Sequence, residues 1–191
     1  MPQLATLAPR TRLSGIATIL AGLAYLVLAG IHLTHGTFDD QLTTPIDYLN
    51  DGAFAAGLLL SVFGIMALGA ATRARVAATL AAVGQLLVFI GVAAGLVTGH
   101  SPAWFAAVGM PGLLLALIGL IMLAWRVWRT RTLSIWVAIL MVLATPVGIG
   151  VAEYGGSIIP AVLWLIVGGW LLRTTPNRAR PQPDTAPLVS G

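Results

Sequence analysis

The sequence predicts an all-α polytopic membrane protein with six transmembrane helices and both termini in the cytoplasm, and three observations predict it. Six apolar runs can be marked along the 191 residues, most of them near the roughly 20 residues that carry a helix across bilayer hydrocarbon. Hydrophobic residues make up 58% of the chain and charged residues 8%, which leaves too little polar surface to cover a water-soluble globule. Finally, all ten basic residues are arginines, and every one falls in a segment that the six runs assign to a single side. Loop arginines are retained on the cytoplasmic side during insertion, so this asymmetry predicts an N-in, C-in topology.

The first span covers about 13–34 and follows Arg10 and Arg12. It is longer than the apolar core of a signal peptide, roughly 7–15 residues, and no A-x-A cleavage site follows it, so it reads as a membrane helix. A polar segment from His35 to Gly52 comes next, with Thr43-Thr44-Pro45 as a turn and Asp47, Asn50 and Asp51 as a cluster suited to capping the second helix. The second and third spans, about 53–71 and 76–98, are separated by Arg73 and Arg75. His100 then precedes the fourth span, about 103–125, after which Arg126, Arg129 and Arg131 return to the cytoplasmic side. The fifth span, about 132–152, ends at Glu153, and the sixth, about 156–172, is followed by Arg173, Arg178 and Arg180. Trp104, Trp125, Trp128 and Trp170 fall near span ends, where interfacial anchors belong. Residues 1–173 therefore read as one six-helix domain, and the proline-containing, aperiodic tail 174–191 reads as a disordered cytoplasmic segment.

The even-numbered spans resemble one another. Gly57-Leu58-Leu59-Leu60 matches Gly112-Leu113-Leu114-Leu115, and Gly64 and Leu68 match Gly119 and Leu123 at the same offset. Pro160, Leu163 and Gly168 repeat Pro111, Leu114 and Gly119 more loosely, which suggests three related helical hairpins. Gly91, Gly95 and Gly99 form a small-residue stripe on the third span that favours close approach of another helix. Gln85 lies in the same span at mid-membrane depth, where an unpaired amide is costly, and should face a neighbouring helix or a wet cavity. Pro111 and Pro146 stand far enough inside their spans to kink them.

Chemistry-bearing side chains collect on the other side from the arginines. His32, His35, Asp39, Asp51, His100 and Glu153 make up the candidate polar site of the outer face. His32 and His35, three apart, can lie on one helix face, so His32, His35, His100 and Glu153 are the candidate ligands for a metal ion. Against that stands the low specificity of a single H-x-x-H and the ease with which histidine occupies the wet interface. Haem is the weaker alternative, because the inner half of the bundle has no histidine for a second axial site and a two-haem electron path is thereby excluded.

The composition removes other classes. There is no cysteine, and so no disulfide or thiolate chemistry; there is no lysine, and so no Schiff base. P-loop, H-E-x-x-H and G-x-S-x-G patterns are missing. The net charge of +4 is divided among juxtamembrane loops, which points to an anionic inner leaflet as its partner rather than to nucleic acid. The Ala, Gly, Val and Arg bias suggests a GC-rich bacterial genome and hence a plasma-membrane location. The leading expectation is an outward-facing polar pocket for an ion or small molecule. Its rivals are a non-catalytic accessory subunit with membrane-protein partners, and a membrane enzyme holding a metal or haem.

Overall fold

The computed structural model describes residues 8–35, 42–151 and 154–174. These residues form six helices: α1 (Ala8–His35), α2 (Pro45–Ala71), α3 (Arg75–Thr98), α4 (Phe105–Thr130), α5 (Ile135–Gly150) and α6 (Ile158–Thr174). No strand occurs among the described residues, as expected of chain segments that must satisfy their own backbone hydrogen bonds without water. By length and hydropathy α1 to α4 are able to cross a membrane, while α5 and α6 are shorter apolar helices. At 1.5 Å per residue those two reach about 25 Å, just short of the ~30 Å hydrocarbon core.

Each helix packs on the next, and α6 closes back onto α1, so the six form a ring. The α3–α4, α1–α6 and α1–α2 seams are extensive, whereas α5 is held more loosely on both sides. Glycines set the tight seams. A Cβ on Gly84 would strike the backbone of Gly112 and Ala116, and one on Gly119 would strike the backbone of Ala77 and Ala81, so α3 and α4 touch backbone to backbone and antiparallel. Gly15 and Gly22 of α1 meet Gly168 and Ala161 of α6 in the same way. On the α1–α2 seam Gly57 receives the Tyr25 ring and Gly64 receives Thr18.

These seams test the expected triplication. Gly57 and Gly64 lie seven apart on α2 and pack on Tyr25 and Thr18, seven apart on α1; Gly112 and Gly119 pack on Val88 and Ala81, also seven apart, on α3. The first two hairpins thus use corresponding glycines at corresponding depths. The third does not, because Gly168 packs on Gly15 and Ile19 of α1, the neighbour at which the ring closes, instead of on α5.

The glycine stripe of α3 meets other helices through their side chains and not their backbone, Gly91 facing Phe105 at the start of α4 and Gly99 facing the Tyr48 hydroxyl of α2. Gly91 makes room for the Phe105 ring, Gly95 faces the α3–α4 connection at His100 and Pro102, and Gly99 caps the helix in the left-handed conformation at φ 74°. The close approach falls instead at Gly84, two turns earlier, where the facing residues of α4 are also small.

Helix ends differ from the sequence-based spans where local capping outweighs hydropathy. α2 begins at Pro45, eight residues before the apolar run, because Thr44 and Asp47 form a reciprocal capping box and Pro45 occupies the first turn. Asp47 Oδ2 accepts from the Thr43 and Thr44 N–H groups at 2.9 and 2.7 Å. The connection before it is pinned to the neighbouring hairpin, since the Leu42 N–H donates to the Gly99 carbonyl at 2.9 Å. At the opposite end of the ring α2 and α4 terminate at left-handed arginines, Arg73 at φ 55° and Arg131 at φ 50°. Pro111 and Pro146 lie inside α4 and α5 on exposed positions, while Pro160 falls in the first turn of α6, where its missing N–H costs nothing.

Candidate functional site

The ring encloses a cavity of about 270 Å³ to which all six helices contribute. It occupies the end at which α1, α3 and α5 finish and α2, α4 and α6 begin, the end opposite the arginine-bearing turns. Its wall is mostly apolar. Phe54, Leu58, Val88, Phe105, Leu113 and Trp164 form much of it, and Tyr25 stands edge-on to Phe54 with ring centroids 6.5 Å apart. Besides the aromatic Tyr25 and Trp164, five polar side chains interrupt this surface: His32 of α1, Asn50 of α2, Gln85 of α3, Thr145 of α5 and Ser157 just before α6.

Two of them are held in an unusual state. Asn50 is 8% exposed and Gln85 7% exposed, and the Asn50 Oδ1 and Gln85 Oε1 atoms are buried without a hydrogen-bond partner. A buried oxygen left in this condition costs about 1–3 kcal/mol, so the pair carries a strong demand for donors. For Asn50 the orientation is fixed locally: its Nδ2 donates to Asp51 Oδ1 at 3.2 Å, and a carboxylate can only accept, which leaves Oδ1 directed elsewhere.

Of the candidates expected from the sequence, His32 and Gln85 line the cavity. Asp51 borders it only through Asn50. Its carboxyl sits beside the entry to α2, half-buried. His35 is exposed, with Nδ1 2.7 Å from the Thr34 hydroxyl, and His100 is exposed, with Nδ1 3.0 Å from the Thr98 carbonyl. His32 thus lines the cavity, while the His100 ring lies against the carbonyl of Thr98 at the end of its own helix. Asp39 and Glu153 lie outside the described residues. Among the described residues no group of three or more His, Asp or Glu side chains comes together to hold a metal ion.

Sequence reasoning missed Asn50, Tyr25, Ser157 and Trp164 as cavity residues. A signal existed for two of them. Asn50 continues the buried stripe of α2 that runs through Ala53, Gly57, Leu58, Ser61, Ile65 and Leu68 at helical spacing, although it resembles one more member of an acidic capping cluster. Trp164 stands in mid-helix, away from the span ends where interfacial tryptophans collect, and is 1% exposed. Ser157, beside Gly155 and Gly156 in the tight α5–α6 connection, carried no such signal.

No protein-family model matches the chain, and neither a curated protein nor a solved structure matches it.

Proposed function

We propose that this chain is a membrane-embedded receptor-like or carrier-like binding protein whose ring interior takes up one small, largely apolar molecule bearing hydrogen-bond donors. The observation that carries this reading is the pair of buried amide oxygens, Asn50 Oδ1 and Gln85 Oε1, on the wall of an otherwise apolar and aromatic cavity. Small-molecule sites have this composition: an apolar enclosure that supplies affinity and a few placed polar groups that supply orientation. A cavity of about 270 Å³ is many times the space one water needs, which suits an organic molecule better than a bare ion. The polar groups are amides, hydroxyls and one imidazole rather than a carboxylate cage, which favours the same choice.

In this reading the arginine-bearing end is cytoplasmic, the cavity lies in the outer half of the plasma membrane, and α5 and α6 cross with the other four. The support is the one-sided placement of arginine, together with the ring, in which α6 pairs along α1 and α5 spans the gap to α4. The accessory-subunit alternative rests on the α3 glycine stripe and on the arginine loops as contacts for larger partners; Phe105 and the α3–α4 connection lie against the stripe, which leaves the arginine loops as its basis.

The test is to purify the protein in detergent, denature it, and identify what is released by mass spectrometry, beside an Asn50→Leu/Gln85→Leu double variant. One small molecule per chain, lost from the folded double variant, is the expected result. Identical extracts from the two proteins sink the reading. Stoichiometric recovery of a large membrane protein with no small molecule would favour the accessory role instead.

A further inference from the structure

At the far end of the ring from the cavity, the α2–α3 turn and the last part of α4 enclose a hollow of about 560 Å³. Three arginines line it, Arg73, Arg75 and Arg126, all exposed. Their convergence follows from the packing. Thr72 closes α2 by donating from Oγ1 to the Leu68 carbonyl at 2.8 Å, which fixes a short turn and sets Arg73 and Arg75 close together in sequence and space. The Gly119 contact with Ala77 and Ala81 then brings the end of α4, and Arg126 two turns beyond Gly119, alongside.

The described acids, Asp47 and Asp51, stand at the opposite end of the ring, so no carboxylate of the described residues offsets these three charges. The hollow also has an apolar side. Val76 is 70% exposed and Met122 43% exposed, and both border it. A cationic rim next to an outward apolar wall, at the level where a membrane helix leaves the hydrocarbon, matches a molecule that is anionic at one end and hydrocarbon at the other.

The geometry points to a binding site for the phosphate headgroup of an anionic phospholipid, held by Arg73, Arg75 and Arg126, with an acyl chain along Val76 and Met122. Guanidinium groups bind phosphate oxygens in bidentate pairs, which gives a defined seat instead of a diffuse charge effect. Arg129 and Arg173 lie at the same end of the ring but outside the hollow, and they serve as internal controls. The inference rests on the membrane-embedded part of the proposed function and not on the cavity. Failure of the cavity reading would appear only as the absence of a small molecule in the extract.

Native mass spectrometry of the full chain in detergent, titrated separately with phosphatidylglycerol, phosphatidylcholine and inorganic phosphate, tests it. The expected result is one phosphatidylglycerol retained in preference to phosphatidylcholine. A guanidinium hydrogen-bonded to a phosphate contributes on the order of tenfold in affinity, so the exposed pair Arg75→Gln/Arg126→Gln should weaken that adduct on the order of a hundredfold. The Arg129→Gln/Arg173→Gln control should change it by less than threefold, and Arg75→Lys/Arg126→Lys should retain part of it. Unaltered thermal unfolding of each variant establishes that the loss is local. Equal retention of the two lipids, equal losses in the test and control pairs, or competition by millimolar inorganic phosphate as effective as by lipid would each overturn the site. The last of these would assign the hollow to free phosphate.

Discussion

Asn50 and Gln85 set polar function against stability at the scale of single residues. Each buries an amide oxygen without a protein donor, and a chain selected only for stability would carry leucine at either position. Gln85→Leu removes the uncompensated oxygen while retaining much of the side-chain volume. In protein stripped of small molecules this variant should unfold about 1–2 kcal/mol later, measured by thermal denaturation in one detergent. In ligand-replete protein the ranking should reverse, since the wild type gains binding energy that the leucine cannot supply. A variant less stable than the wild type in the stripped state would mean that the amide is already satisfied and that the cavity asks for nothing.

At the scale of the helix, seams are made where small residues face small residues, not wherever glycines recur. The stripe Gly91, Gly95 and Gly99 is the more regular pattern in the sequence, but it serves a phenylalanine, a connection and a helix cap. Gly84 and Gly119 carry the backbone contact between α3 and α4 because Ala116, Ala81 and Ala77 stand opposite them. Substitution of Gly84 by Val should therefore cost at least about 3 kcal/mol, beyond ordinary overpacking, since backbone cannot yield as a side chain can. Gly169→Ala, where a Cβ meets nothing within 4 Å, should be neutral or up to ~1 kcal/mol stabilising through helix propensity. Thermal unfolding of the two variants side by side checks the contrast, and equal effects would refute the assignment of the seam.

For the molecule as a whole, ring closure separates two ends with different chemistry. One bears the arginine turns and the hollow beside them; the other bears the histidines, the capping acids and the cavity. A reporter fused after Arg173 should be active only in a cytoplasmic format, and one inserted at Thr43, between α1 and α2, only in an extracytoplasmic format. The reverse pattern would place the cavity in the inner half of the membrane and the arginine hollow outside.

The six helices were legible in the sequence because hydropathy and the need to satisfy every backbone group inside hydrocarbon act on each segment independently of the others. The same holds for the capping of α2, where Thr44, Pro45 and Asp47 interact within one turn. Gln85 was legible as an inward residue because an amide at that depth has few tolerable surroundings. Which helix meets which was not legible, nor that α6 closes on α1, since seams depend on pairs of surfaces far apart in the chain. For the same reason the candidate site was read only in part. His32 lines the cavity while the His100 ring lies against the Thr98 carbonyl, and Asn50, Ser157 and Trp164 share a cavity wall with Gln85 only when the ring closes. Periodicity fixes the face of a helix on which a side chain stands; closure of the ring alone decides what that face meets.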